Sequence, residues 1–315
     1  MSEEKENPVI GLSFILIPVI LLIVGLFIYP YPDVTEYQES MLQIPMFLGL
    51  FLLFFGFILD KQKSGKIFKI LGWIVFAFFW ATQPTMLYLS EGGDTFNAAV
   101  CVIGVFVLCY LAYHEYLSYI RDESISCLNW IAGASFLAGI IYFGIERSAL
   151  SPWLIDRVAE QSAWVLNIFT GTAAVDGEAI LIDGHYAVTI IFACTAIQSM
   201  VIFVGMIGAL PKIGFKRRII GLMITVLPVY FLNLFRNAMV AFLVGRNIMD
   251  FNLAHNILSK AGSLIALVVL LFIVVKIIPE VFDEIINLTD LYKRNGPIER
   301  FIKKLFRFQK SEEKL

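Results

Sequence analysis

The chain has 315 residues, of which 59% are hydrophobic and 14% aromatic, with a mean hydropathy of +0.80 and a formal net charge of −2. A soluble core of this size cannot hide that much apolar surface from water, so a soluble domain is excluded and an integral membrane protein is implied. The four cysteines, Cys101, Cys109, Cys127 and Cys194, lack metal-ligand or redox-motif spacing, so neither a zinc site nor a disulfide framework is expected.

The predicted fold is all-α, with about eight transmembrane helices near residues 9–29, 41–59, 70–90, 96–113, 125–145, 186–210, 219–235 and 261–275. Each run, alone or with its flanks, suits a hydrocarbon core of roughly 30 Å. The first follows the acidic start "MSEEKENP" and has no small-residue cleavage signal, so it reads as a retained helix. Eight helices starting inside place 19 of the 24 Lys and Arg residues in cytoplasmic segments, among them Lys61, Lys63, Lys66 and Lys69. Only Arg147, Arg157 and Arg246 fall in outer loops, so both termini are expected in the cytoplasm. The outer loops "YPYPDVTEYQES" and "SEGGD" carry acid and no Lys or Arg.

Residues 1–145 read as a five-helix membrane region, 146–278 as a catalytic membrane region and 279–315 as a cytoplasmic tail. The long external segment 146–185 opens the second region. Its stretch "SPWLIDRVAEQSAWVLNIF" spaces Leu154, Val158, Val165 and Phe169 like a helix, and Trp153 and Trp164 suggest that the helix lies at the outer interface. In "EAILIDGHYAVTI", Asp183-Gly184 between two β-prone runs predicts a small hairpin leading into the sixth span. Glu178 and His185 in that hairpin are candidate substrate contacts. In the tail, Ile298, Phe301, Ile302, Leu305 and Phe306 interleave with Lys303, Lys304 and Arg307, the pattern of a basic helix lying on membrane lipids.

Three residues are expected at one depth. Arg236 lies 18 residues beyond Arg218, or about 27 Å along a helix, and a guanidinium there costs at least ~2.5 kcal/mol unless it reaches water or a partner. Cys194, read as lying on a helix that ends near Leu210, stands about 24 Å above that end. His255 falls at the outer start of the last span, near Ala254. A thiol is a nucleophile as its thiolate, which a nearby cation favours, and an imidazole can carry the proton to a leaving amine. Arg236 is suited to an oxyanion, Asn233 and Asn237 to orienting or supplementing it. Thr195, Gln198 and Ser199 flank the thiol as supporting residues. Taken singly, each has a plainer reading: thiols pack as small hydrophobes, arginines and lysines such as Lys260 snorkel, and histidines sit at helix ends. Cys101, Cys109 and Cys127 keep the packing reading. Pro228 is expected to kink its helix.

The ordered set "ACTAIQS", "NLFRNA" and "LAHNILSKAGS" resembles the exosortase and archaeosortase family, most closely the archaeosortases, over residues 178–270. The family pattern is Cys-[ST]-[GA], Asn-x-x-Arg, then His or Arg; here it is met by Cys194-Thr195-Ala196, Asn233 with Arg236, and His255. Ala196 stands where many relatives have Gly. The resemblance implies a membrane cysteine protease or transpeptidase. Its substrates would be secreted surface proteins bearing a C-terminal motif, a transmembrane helix and a basic cluster. Cys194 would form a thioester at the outer face, and a lipid acceptor would resolve it, with no cofactor, no metal and no nucleic-acid partner. Two other readings remain. One is a transporter binding an anion at Arg236, opposed by the absence of an evident repeat between the halves and by the outer-face position of the polar residues. The other is a lipid-acting transferase or a protease that passes the acyl group to water.

Overall fold

The computed structural model describes residues 7–89 and 95–312. The acidic start with Lys5 and the loop "SEGGD" lie outside the described residues, as do the side chains of Phe306 and Arg307. Among the described residues, seven helices are long and apolar enough to cross a bilayer: Pro8–Ile28, Glu36–Ile58, Lys63–Leu89, Thr95–Arg121, Ser126–Glu146, Phe215–Gly245 and Asn252–Ile277. A shorter apolar helix, Ile197–Gly208, stands where the expected sixth span ends. The protein is an all-α integral membrane protein with one small sheet.

The chain divides into two compact units, residues up to 136 with those from 284 onward, and residues 137–283. In the first, α1 (Pro8–Ile28), α2 (Glu36–Ile58), α3 (Lys63–Ala81), α4 (Pro84–Leu89) and α5 (Thr95–Arg121) are joined by the first half of α6 (Ser126–Glu146). The Thr35 side chain and Gln38 form a reciprocal capping box that starts α2, satisfying two N–H groups that the helix cannot. Helices α2 and α3 pack backbone to backbone: a Cβ on Gly72 would lie 2.9 Å from the Leu53 nitrogen. Small residues permit such approach where lipid supplies no hydrophobic drive between helices. Cys101, Cys109 and Cys127 are buried in this unit among apolar neighbours, as the packing reading expected.

The C-terminal helix α12 (Pro297–Glu312) belongs to the same unit. Its first turn is buried: Ile298 sits in the core, and Glu299 accepts hydrogen bonds from Tyr110 and Tyr113, each at 2.9 Å. Ile298 is therefore core rather than part of a surface-lying apolar face. Phe301, Ile302 and Leu305 are exposed apolar residues among the described side chains of that helix. Lys66 and Lys69, counted as cytoplasmic loop charges, lie within α3 and are buried; Lys69 pairs with Asp60 at 2.6 Å and Glu115 at 3.0 Å.

The second unit is built on α7 (Leu150–Thr170), a three-stranded antiparallel sheet, α8 (Ile197–Gly208), α9 (Phe215–Gly245) and α10 (Lys260–Ile277). The expected helix at 150–170 forms, but its buried face is Val158, Ala159, Ser162, Ala163 and Leu166, and Trp153, Trp164 and Phe169 are exposed. The sheet comprises β1 (Ala173–Asp176), β2 (Ala179–Ile182) and β3 (His185–Thr189) in that order. The predicted hairpin is present. Asp183 and Gly184 both have positive φ, +52° and +76°, the two-residue turn whose twist matches flanking strands. Strand β1 was not anticipated. Gly245 lets α9 approach the sheet, since a Cβ there would lie 2.8 Å from both Ala187 and Ile182 side chains.

The run 186–210 is the chief correction. It is not one membrane helix but a strand ending at Thr189, a 3-10 turn at Phe192–Thr195 and the 12-residue α8, which at 1.5 Å per residue spans about 18 Å. An apolar run of this kind has no period that separates a buried strand from a buried helix, and Val and Ile suit either.

Candidate active site

Cys194 lies in the 3-10 turn, closed by its own N–H donating to the Ile191 carbonyl at 2.7 Å and by Thr195 Oγ1 donating to the Phe192 carbonyl at 2.7 Å. The next residue but one, Ala196, takes a left-handed conformation with φ +62° and starts α8. That conformation crowds Cβ against the backbone of an L residue and suits glycine best. The thiol therefore sits on a turn before a helix, rather than 24 Å up a continuous one.

Helix α9 fixes this turn. Asn233 and Asn237, one helical turn apart, share a face, and both side-chain amides donate to the Cys194 carbonyl, at 2.7 and 3.0 Å. Arg236 donates to Asn233 Oδ1 at 3.2 Å and to Ser259 Oγ, and it lies close enough to Cys194 to interact with it electrostatically. A chain of contacts thus runs from Ser259 through Arg236 and Asn233 to the Cys194 main chain. Asn237 also reaches Ser162 Oγ on α7, at 3.4 Å.

His255 comes from a π-helical segment, Asn252–Ser259, two residues earlier than the expected helix start. Asp250 begins it by accepting from the Leu253 N–H at 3.0 Å. The imidazole stacks on Phe251 with ring centroids 4.9 Å apart and planes 9° from parallel. Such widened turns are rare and occur often at functional sites.

Cys194, Asn237 and His255 line one cavity of about 200 Å³ together with Tyr186, Val188, Thr189, Ile190, Ile191, Val240 and Phe251. None of these ten residues is Asp, Glu, Lys or Arg; Cys194 supplies a thiol suited to nucleophilic attack and His255 an imidazole suited to acid-base work. Arg236 is outside the lining and donates to Asn233, which shares with the lining residue Asn237 the Cys194 carbonyl.

The remaining expected residues are placed differently. Thr195 is buried and serves its turn, while Ser199 is half-buried and Gln198 exposed, and none of the three lines the cavity. Glu178 and His185 are exposed at the two turns of the sheet, outside the cavity lining. Sequence reasoning missed Ser162, Ser259, Tyr186, Thr189 and Phe251. Two of these left a signal: Ser162 is a hydroxyl on the buried stripe of α7, and Ser259 follows His255 by four residues.

The chain is similar to known proteins. Residues 68–275 match the model of the transmembrane exosortase (Exosortase_EpsH) family. Archaeosortase A of Haloferax volcanii is 29% identical, with 71% of this chain and 84% of that protein covered. No solved structure matches the chain. The family match takes in Cys194, Arg236 and His255 and spans well over half of the sequence, so the chain belongs to the transmembrane exosortase family.

Proposed function

We propose that this protein is a cysteine transpeptidase of the membrane that cleaves the C-terminal sorting signal of surface proteins and joins the new C-terminus to an acceptor. The observation that carries the reading is a cavity lined by both Cys194 and His255 and by no Asp, Glu, Lys or Arg, with the Cys194 main chain clamped by Asn233 and Asn237. Family membership and the likeness to a protein named Archaeosortase A support a sorting reaction. The Cys194 thiol gives its proton to His255, its sulfur adds to the scissile carbonyl carbon, and Arg236, bonded to Asn233 and Ser259, offsets the negative charge that forms on the carbonyl oxygen. The carbon–nitrogen bond then breaks, the departing amine takes the proton from His255, and a thioester remains. An acceptor nucleophile, a lipid amine in this reading, attacks the thioester, gives its proton to His255 and releases the Cys194 sulfur. This reading takes α8 with the turn before it as the sixth crossing, and the excess of Lys and Arg in the segments read as cytoplasmic then supports a site at the external face with both termini inside.

The test is maturation of a co-expressed surface protein carrying a C-terminal motif, transmembrane helix and basic cluster. Cys194→Ala is expected to abolish it, with a loss of at least about 10³-fold, while Cys101→Ala leaves it intact. Mass spectrometry of the processed C-terminus identifies the cut site and the attached group. Normal maturation in Cys194→Ala would remove the thioester mechanism.

A further inference from the structure

β3 is the outer strand of its sheet: one edge pairs with β2, and the strand order places none on the other. The Ile190 N–H donates to the Glu178 carbonyl at 2.9 Å, so Ile190 faces β2. In an antiparallel ladder the bonding direction alternates, and Thr189 and Ile191 therefore turn their own N–H groups to the open side. The chain remains extended through Ile191, with φ −115° and ψ 171°. Among the described residues, no other element donates to or accepts from the Thr189 backbone or the Ile191 N–H.

This edge is one wall of the cavity. Tyr186, Thr189 and Ile191 line it from the strand side, Phe251 and His255 belong to the π-helical side, and Cys194 follows Ile191 by three residues. Tyr186 and Ile191 are 63% and 54% exposed, and the Tyr186 and Thr189 hydroxyls hydrogen-bond each other at 3.1 Å. Exposed edges are usually blunted by lysine, proline or a covering element, because unpaired N–H and C=O groups recruit another strand. From Tyr186 to Ile191 this edge carries no charge and no proline. Its one irregularity, the register shift at Ala187, lies at the end farther from Cys194.

We infer that the polypeptide to be cleaved binds as a fourth strand, pairing in extended form with the outer edge of β3 so that its scissile carbonyl rests at the Cys194 end. The inference rests on the transpeptidase reading above and adds how the substrate is held: by main-chain hydrogen bonds, which supply affinity while side-chain pockets supply selectivity. It also explains why a strand, and not a helix, leads into the nucleophile. An extended strand presents a row of outward donors and acceptors, whereas a helix consumes its own.

The experiment uses full-length enzyme in membranes and the surface protein described above. In enzyme carrying Cys194→Ala and Thr189→Cys, single cysteines are placed one at a time along the eight substrate residues before its transmembrane helix, and disulfide cross-links are scored. Strand pairing predicts strong cross-links at alternate positions, at least five-fold above their neighbours. A three-to-four-residue period, a flat profile or no cross-link overturns it. In enzyme retaining Cys194, Thr189→Pro removes one outward N–H and spares the bonds to β2, a substitution that edge strands tolerate. Its processing rate is expected at least ten-fold below that of Thr189→Val, which loses the same hydroxyl; equal rates also overturn the inference. If Thr189→Pro fails to accumulate, the cross-link profile decides alone. Continued processing by Cys194→Ala sinks the reaction itself, whereas blocked processing with an aperiodic profile sinks only the strand pairing.

Discussion

The surroundings of Lys69 in the first unit and of Cys194 in the second are almost equally removed from water, at 1% and 6% exposure, and they differ in where their hydrogen bonds point. In the first unit charges are spent on one another. Lys69 bridges Asp60 and Glu115, Lys66 meets Asp122 at 3.1 Å, and Arg294 binds Glu123, Ser118 and the His114 carbonyl. In the second unit the polar groups converge on a main-chain carbonyl beside a cavity, and the one guanidinium in that set bonds to neutral groups. Burial of ionisable residues is thus a poor marker of function by itself. What separates the two regions is whether the groups satisfy each other or surround a thiol that lines a cavity.

That contrast can be broken by mutation. The largest effect is expected on the ionic side: Lys69→Ala leaves Glu115 and Asp60 without their cation and should cost about 3–5 kcal/mol, read as a lowered unfolding temperature in detergent micelles. The activity of the enzyme that remains folded should be unchanged, the reverse of the Cys194→Ala pattern. Loss of activity per folded molecule would tie the first unit to the chemistry.

Next in size is the clamp on Cys194. Its carbonyl has two donors, so Asn233→Ala or Asn237→Ala alone leaves one, while the double substitution orphans a buried acceptor at about 1–3 kcal/mol. A double-mutant cycle on stability and processing rate should therefore show more loss than the two single changes together. Strict additivity would mean that the amides act on separate groups.

Glu299 gives the pH arm of the comparison. Burial raises its carboxyl, but the His114 imidazole 3.5 Å away, a bond from its own backbone and one from Tyr113 more than reverse this and hold it at about 2, against an ordinary 4.5. A carboxyl depressed in the folded state stabilises fully above its unfolded pKa, and that contribution fades as pH falls from about 4.5 through 2. The unfolding-temperature gap between the wild type and Glu299→Gln should accordingly be widest near neutrality and narrow below pH ~4.5. A gap independent of pH would show that the carboxylate charge does not hold α12.

The smallest effect should come from Ala196→Gly. Relief of the left-handed alanine outweighs the added freedom of the unfolded chain, for a gain of up to about 1 kcal/mol. A destabilised variant would argue against the positive φ.

The sequence made some elements legible because their signals are local. Asp183-Gly184 encodes a turn in two residues, and "NLFRNA" places Asn233, Arg236 and Asn237 on neighbouring turns of any helix that contains it. Lys66 and Lys69 lie inside α3 and not between spans; a charge count cannot tell a loop lysine from one buried against a carboxylate distant in sequence.

By itself the sequence determined that this chain lives in a membrane, since uninterrupted apolar length is what a bilayer selects, and it supplied Cys194, Arg236 and His255 as residues whose chemistry fits together. Only the tertiary structure decided that Cys194 sits on a turn after an open strand, that two asparagines hold its carbonyl, and that His255 shares its cavity. The reason is physical. An apolar run such as 186–210 satisfies its backbone equally well as helix or as paired strand, and the choice rests on β2, which supplies the partner for β3.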